Sequence, residues 1–198
     1  MQQFPRDWYF ERPVDAVADL PATDMVEIAF AGRSNVGKSS LINALCRKEK
    51  LARTSNTPGR TQSLNLFASA SGIRIIDMPG YGFARAPKAK VEGWTRLIHT
   101  YLLGRPCLRM TYVLIDSRHG LKGNDFGLMS ELDVAAVAYK IVLTKADKIP
   151  LAACNDLCEK MHAALKPHAA CAPTVITTST KTREGVQDLR DHIMGLLL

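Results

Sequence analysis

Short apolar runs alternate with segments of helical periodicity along most of this chain. The apolar runs predict strands over 25–31, 63–69, 72–77, 109–116, 138–144 and 172–178, and the 3.6-residue pattern predicts helices over 38–47, 90–103, 124–136, 151–166 and 185–197. Strands separated by helices are typical of a doubly wound α/β sheet with right-handed crossovers. We therefore predict an α/β fold with a mostly parallel six-stranded sheet that is covered by helices on both faces.

The stretch from 63 to 77 departs from this parallel arrangement. Leu64, Leu66 and Ala68 alternate with polar residues, and Ser71 and Gly72 then provide a turn into the next apolar run. This pattern predicts a β-hairpin, so that one strand at the edge of the sheet is antiparallel. The later runs are apolar throughout, as parallel strands covered on both faces are.

Residues 1–24 lack the alternation and are predicted to form an extension that packs on one domain spanning 25–198. The first residues carry neither the basic nor the apolar part of a signal peptide, and no apolar run reaches the roughly 18 residues that cross a bilayer. Five cysteines in no framework spacing indicate free thiols. We expect a cytoplasmic protein without membrane contact and, since nothing in the sequence requires a dimer, a monomer.

The segment from Gly32 to Ser39 has the pattern G-x-x-x-x-G-K-S and lies between a predicted strand and a predicted helix. This context is the one that a phosphate-binding loop requires. The glycines let backbone N–H groups surround an oligophosphate, and the helix N-terminus adds positive partial charge. Lys38 is expected to reach the outer phosphates, and the Ser39 hydroxyl is expected to bind Mg²⁺.

Two further motifs follow predicted strands and therefore fall at the same edge of the sheet. Asp77-Met78-Pro79-Gly80 places a carboxylate that can hold Mg²⁺ through water and an N–H that can meet a γ-phosphate. Thr144-Lys145-Ala146-Asp147 places a carboxylate that only accepts hydrogen bonds, which suits the two N–H donors on one edge of guanine. Adenine lacks that donor pair.

A last motif and two polar loops complete the predicted site. A backbone N–H near Ser179 is positioned to donate to the guanine carbonyl oxygen. The segments 54–62 and 80–88 are predicted to be mobile loops near the phosphates, and a threonine of the first can join Mg²⁺ when the γ-phosphate is bound. Nucleotide state would then control the second loop, which is basic.

Net charge is +7 and is unevenly distributed: residues 32–109 contain 14 Lys/Arg against three acidic residues. This asymmetry favours a polyanionic partner such as ribosomal RNA, bound through its phosphates by the basic surface near the two loops. The alternative is a solvated basic face that also attracts the nucleotide.

Taken in order, these motifs resemble those of translation-factor-related GTPases, in the TrmE-Era-EngA-EngB-Septin-like group. The phosphate loop Gly-Arg-Ser-Asn-Val-Gly-Lys-Ser, together with Asp-Met-Pro-Gly-Tyr-Gly, resembles more closely the bacterial EngB family, also called YihA or YsxC. The resemblance covers about residues 8–195. It implies a Ras-like P-loop GTPase domain that hydrolyses GTP to GDP and phosphate, acts in assembly of the large (50S) ribosomal subunit, and is needed for normal cell division and septation.

The resemblance also implies the residues of the site. Mg²⁺ would be held by Ser39 and Thr61, with Asp77 acting through water, and catalysis would rest on Lys38, Thr61 and Gly80. The GTP contacts would be Gly32, Arg33, Ser34, Asn35, Val36, Gly37, Lys38, Ser39, Gly59, Arg60, Thr61, Gln62, Ser63, Asp77, Met78, Pro79, Gly80, Thr144, Lys145, Ala146, Asp147, Thr177, Thr178 and Ser179.

Two positions qualify the expected chemistry. Tyr81 stands where Ras-like switches carry the glutamine that orients the attacking water, so intrinsic hydrolysis is expected to be slow. Asn35 occupies the place where related GTPases bind a monovalent cation, and we expect it either to help hold K⁺ or only to hydrogen-bond the loop.

Two other functions compete with this one. The first is a nucleotide-gated switch that binds a division or septation partner and hydrolyses GTP only incidentally, which Tyr81 would permit. The second is an ATP-using P-loop kinase, which the Thr-Lys-Ala-Asp motif disfavours.

Overall fold

The computed structural model describes residues 3–53, 63–81 and 88–197, and the side chains of its second helix are described from Arg96 onward. The strands are β1 (Tyr9–Val14), β2 (Val26–Gly32), β3 (Leu64–Ala68), β4 (Ile73–Asp77), β5 (Leu108–Asp116), β6 (Tyr139–Thr144) and β7 (Ile176–Thr177). The helices are α1 (Lys38–Cys46), α2 (Lys88–Gly104), α3 (Gly123–Val134), α4 (Leu151–Leu165) and α5 (Val186–Gly195). The predicted helices are confirmed to within about two residues at their ends.

The strands form one sheet in the order β1-β3-β4-β2-β5-β6-β7. Strands β4, β2, β5, β6 and β7 run parallel, and β3 is antiparallel to both β1 and β4. The predicted α/β class is confirmed. The predicted strand over 172–178 is much shorter in the structure, where only Ile176 and Thr177 are strand residues.

The predicted count of six strands is wrong, because the sheet has seven. The additional strand is β1, which lies within the predicted extension and makes β3 an inner strand instead of an edge strand. Only Val14 of β1 is buried. An edge strand with one buried position lacks the period-2 apolar pattern, so this strand could not be predicted from its sequence.

The helices divide between the two faces of the sheet. Leu41 and Ile42 of α1 pack with Leu189 and Ile193 of α5 over one face. Leu97 and Tyr101 of α2 pack with Met129 of α3 and Met161 of α4 over the other face. Successive residues of β2 supply both clusters, as expected of a central parallel strand buried on both sides.

A cluster of charged side chains lies at the start of β2, the end of the strand that is far from the phosphate loop. Glu27 is fully buried and accepts hydrogen bonds from Arg74, Tyr101 and Arg105. Arg74 also pairs with Glu11 of β1, so the cluster ties the N-terminal strand to the core. No helix in the described part of the chain is long and apolar enough to cross a membrane.

Candidate functional site

The loops that follow β2, β4, β5 and β6 meet at the carboxyl edge of the sheet, since these strands are parallel neighbours. The phosphate loop begins where β2 ends at Gly32 and enters α1 at Lys38. Gly37 adopts φ +105°, which side chains rarely permit, and a Cβ on Gly32 would lie 2.9 Å from Cγ1 of Val36. Gly37 is therefore required by the backbone conformation of the loop, and Gly32 by its close packing on Val36 and Leu114.

The predicted phosphate-binding and metal-binding groups lie together. The Lys38 ammonium at the start of α1 pairs with the carboxylate of Asp77 at the end of β4, and their side chains are only 10% and 5% exposed. Ser39 lies in the first turn of the same helix and is half-buried. A hydroxyl and a carboxylate beside an ammonium are suited to Mg²⁺ and a polyphosphate, because Mg²⁺ prefers oxygen ligands and the ammonium can bind phosphate.

The glycine of the second motif packs directly on the phosphate loop. A Cβ on Gly80 would lie 3.1 Å from both the backbone N and the Oγ of Ser34. Met78 is buried, and its N–H donates to the carbonyl of Phe30 in β2. The chain after β4 is thus held along the phosphate loop, and Gly80 is at its closest approach.

The Thr-Lys-Ala-Asp loop is bonded to the phosphate loop. The Oγ1 of Thr144 donates to the carbonyl of Val36 at 2.6 Å, and the Nζ of Lys145 donates to the carbonyl of Asn35 at 2.6 Å. The same ammonium lies 2.9 Å from the carboxylate of Asp116. These bonds fix the spacing between the predicted phosphate end and the predicted base end of the site.

Asp116 was not predicted from the sequence. Asp116 is the last residue of β5, as Asp77 is the last residue of β4. Its position at the carboxyl edge of the sheet could have identified it as a candidate site residue. Burial acts to raise the pKa of Asp116, but hydrogen bonds from Arg118 and Lys145 outweigh burial and hold it well below its usual range. The Asp116 carboxylate is therefore charged at neutral pH and orients Lys145.

The carboxylate of Asp147 accepts a hydrogen bond from the hydroxyl of Ser179 at 2.7 Å. This bond lowers the pKa of Asp147. The charged carboxylate retains free acceptor positions, since it offers about four in total. The structure therefore adds a side-chain role for Ser179 that the motif did not reveal.

The backbone N–H of Ser179 donates to the carbonyl of Glu184 at 3.0 Å. A donor to a guanine carbonyl would therefore have to be a neighbouring amide. Thr178 is buried, and its N–H and hydroxyl both donate to the carbonyl of Leu143, while the Thr177 hydroxyl lies 3.7 Å from the Sγ of Cys158. These two threonines position the loop through β6 and α4.

Two further predicted GTP contacts have side chains that are bonded away from the site. Arg33 extends to the start of α3, where its Nη2 donates to the carbonyl of Gly120 at 2.9 Å and its Nε lies 3.3 Å from the Asp125 carboxylate. The Ser63 hydroxyl donates to Asp15 after β1 at 2.5 Å. Gly59, Arg60, Thr61 and Gln62 lie outside the described residues, so Thr61 as a metal ligand stays a prediction.

Comparison with known proteins agrees with this geometry. Residues 27–145 match the family described as 50S ribosome-binding GTPase. The chain is 54% identical over 203 residues to the probable GTP-binding protein EngB of Brucella melitensis, covering 98% of this chain and 84% of the relative. It is 52% identical over 198 residues to the protein of the same name from Rhodopseudomonas palustris strain TIE-1, covering 99% and 92%.

Solved structures show the same fold. A crystal structure of a probable GTP-binding protein EngB superposes with a TM-score of 0.67 at 24% identity, covering 86% of this chain and 98% of the other. Era in complex with MgGDPNP and nucleotides 1506–1542 of 16S ribosomal RNA gives a TM-score of 0.69 at 21% identity, covering 87% and 57%. The chain belongs to the EngB family of GTP-binding proteins and is a GTP-hydrolysing enzyme.

Proposed function

We propose that this GTPase acts in assembly of the large ribosomal subunit, in the cytoplasm and as a monomer, and that normal cell division depends on it. The observation that carries the nucleotide part is the bonding of the Thr144–Asp147 loop to the phosphate loop, which sets a triphosphate site and a guanine site at a fixed distance. The ribosomal part is supported by the matching family, described as 50S ribosome-binding GTPase, and by the net charge of +7.

In the proposed site, Lys38 neutralises charge on the outer phosphates. Ser39 and Thr61 hold Mg²⁺, and Asp77 acts through water. When bound there, Mg²⁺ would supply positive charge that offsets the charge of the phosphates. Because Lys38 and Asp77 are paired with each other in the structure, each is already in position for the charge of opposite sign that nucleotide and metal bring.

Guanine is selected by Asp147, whose charged carboxylate accepts from the two N–H donors on one edge of the base. Replacing Asp147 with asparagine should lower GTP affinity about 100-fold, since two charge-assisted hydrogen bonds are each worth at least ~1.5 kcal/mol. Xanthosine triphosphate should gain affinity, because its C2 oxygen accepts from the new amide. Asp156→Asn, on the exposed side of α4, is the matched control.

Hydrolysis is proposed to be slow without a partner. No side chain at the described site is assigned as general base, and the Tyr81 hydroxyl is bonded to Asp125. Asn35 is exposed within the phosphate loop, and we propose that it helps hold K⁺, which would add the charge that an arginine finger supplies elsewhere. An equal hydrolysis rate in K⁺ and Na⁺ buffers would exclude that role.

The nucleotide proposal is tested by calorimetric titration of the purified protein with GTP, GDP and ATP, with and without Mg²⁺. We expect heat from GTP and GDP, tighter GTP binding with Mg²⁺, and no measurable heat from ATP. Equal heats from guanosine and adenosine triphosphates would contradict the proposal.

Several of the basic residues lie close together near the end of α1. Arg47, Lys48, Lys50 and Arg53 are exposed at the carboxyl end of α1 and just beyond it, and no acidic partner lies within ion-pair distance of them among the described residues. They lead directly into the predicted loop over 54–62. Exposed unpaired cations of this kind suit the phosphates of ribosomal RNA.

The partner is tested by co-sedimentation with 50S particles at increasing salt. We expect binding to fall steeply with salt and to weaken in the Lys48→Gln/Lys50→Gln/Arg53→Gln variant. It should not weaken in Lys160→Gln/Lys166→Gln, which changes exposed lysines on and just after α4. Binding without a salt slope would instead favour the alternative proposal, a nucleotide-gated switch for a division or septation partner that hydrolyses GTP incidentally.

A further inference from the structure

The first turn of α3 contacts two segments at the phosphate end of the site, the phosphate loop and the residue after Gly80. The hydroxyl of Tyr81, directly after Gly80, donates to Oδ1 of Asp125 at 2.8 Å. The Nε of Arg33, in the phosphate loop, lies 3.3 Å from the same oxygen. One carboxylate on α3 therefore contacts the phosphate loop and the segment after Gly80 together.

Asp125 is fully buried, and its contacts account for both oxygens. Its Oδ2 accepts from the backbone N–H of Lys122 at 2.7 Å, which caps the first turn of α3. Its Oδ1 receives the Tyr81 hydroxyl and faces Arg33. Burial and the neighbouring carboxylate raise the pKa of Tyr81, so the hydroxyl stays neutral and donates. It is thus held away from a role in orienting water.

The backbone of Tyr81 is held as well. Its N–H donates to the carbonyl of Gly32 at 3.3 Å, and it forms a parallel β-bridge with Arg33. The preceding residue, Gly80, packs on Ser34, where an added Cβ would lie 3.1 Å from its backbone N. With Tyr81 fixed at its backbone and at its hydroxyl, the position of Gly80 depends on α3.

We propose that Tyr81 is a positioning residue that favours GTP over GDP and couples the γ-phosphate to α3 through Asp125. The inference rests on the proposed contact between the Gly80 N–H and the γ-phosphate. GDP has no γ-phosphate, so only GTP binding uses a correctly placed Gly80. If Gly80 is less well ordered, it must be ordered when GTP binds. This lowers the affinity for GTP and leaves the affinity for GDP unchanged.

The test compares Tyr81→Phe with the parent for binding of GDP and of a non-hydrolysable GTP analogue. We expect the variant to bind the analogue about 10-fold more weakly, the size of one hydrogen bond to a charged group, and GDP within about twofold. Tyr112→Phe is the matched control, because Tyr112 is buried and its hydroxyl is also bonded, to Nδ1 of His192 at 2.8 Å. It should bind both nucleotides like the parent.

A second variant approaches the contact from α3. Asp125→Asn keeps an acceptor for Lys122 and removes the charge that Tyr81 and Arg33 face. We expect the same selective loss of analogue binding. The double variant should bind the analogue with about the affinity of the more impaired single variant, since both substitutions act on one contact. In the parent, the analogue should also slow amide exchange over 122–127 relative to GDP, and Tyr81→Phe should abolish that difference.

The outcomes separate the inference from the proposed function. A parent that binds no guanine nucleotide overturns the proposed function and this inference with it. A parent that binds both nucleotides, with a Tyr81→Phe variant that weakens them equally or not at all, overturns the inference alone. So do additive effects of the two substitutions.

Discussion

Replacing Glu27 with glutamine tests the buried charges that hold the N-terminal strand and β2 together. The Oε1 of Glu27 accepts from Arg74 Nη1 at 2.9 Å and from Arg105 Nη2 at 2.6 Å. Its Oε2 accepts from the Tyr101 hydroxyl at 2.8 Å and from Arg105 Nε at 2.8 Å. Glutamine keeps the shape of this side chain but turns one of its two oxygens into an NH₂ group.

The size of the effect follows from that count. The amide oxygen can satisfy the two donors on one side, whereas the NH₂ group would face the two donors on the other side. Arg105, whose side chain is 7% exposed, would then lose the carboxylate that it faces, and Arg74 would keep only its more exposed partners Glu11 and Asp24. Removing one partner of a buried ion pair destabilises by about 3–5 kcal/mol. For a domain of this size that is a fall in melting temperature of roughly 6–20 °C.

Urea denaturation without nucleotide, followed by circular dichroism, measures the difference. Glu11→Gln is the control, because Glu11 bonds the same Arg74 from a side chain that is 22% exposed, and an ion pair with a solvent-accessible partner contributes less than a fully buried one. If Glu27→Gln were no more destabilised than Glu11→Gln, the buried cluster would not be what stabilises this end of β2.

Four further outcomes are expected. Although burial acts to raise the pKa of Glu27, hydrogen bonds from Arg105 and Tyr101 lower it below its ordinary 4.5. The charged carboxylate therefore stabilises the fold above the pKa of the unfolded chain, and this stabilisation is lost as pH falls through the lower pKa of the folded protein. The difference in unfolding free energy between Glu27→Gln and the parent should accordingly narrow in acid-denaturation curves. Ser39→Ala should weaken Mg²⁺-dependent GTP binding in calorimetry without changing the melting temperature by more than the exposed neighbour Ser40→Ala does. Thr144→Val removes the bond to Val36 and should weaken both GTP and GDP roughly 3- to 10-fold, and unchanged affinities would show that this bond does not set the site. Gly185→Ala should lower the yield of folded protein, because its Cβ would lie 1.8 Å from the Thr177 carbonyl oxygen at φ +67°; Gly195→Ala, with nothing within 4 Å, should not.

The elements near the phosphate loop were predictable because their signals are local. A strand of apolar residues, a glycine loop and a helix follow one another within a short stretch, and α1 begins at the predicted Lys38. Neither motif alone predicts the ion pair between Lys38 and Asp77. It was implied by the rule that parallel strands bring their carboxyl ends to one edge.

The extra strand shows where local signals end. β1 exposes most of its side chains, so its sequence resembles that of a polar extension, and only pairing with β3 makes it a strand. The side-chain contact of Ser179 could not be predicted either, because its hydroxyl donates to Asp147, 32 residues away in the chain. Neither contact leaves a periodic pattern.

The phosphate loop, the Thr-Lys-Ala-Asp motif and the α/β class could be predicted from the sequence, because each depends on residue type at a fixed spacing or on a repeated apolar pattern. Only the folded structure shows that Glu27 contacts two arginines and a tyrosine, and that the Tyr81 hydroxyl contacts Asp125, 44 residues further along. Such contacts join segments that only the packing of α2 and α3 on the sheet brings together. A side chain's buried partner is set by that packing, and the sequence near the side chain does not record it.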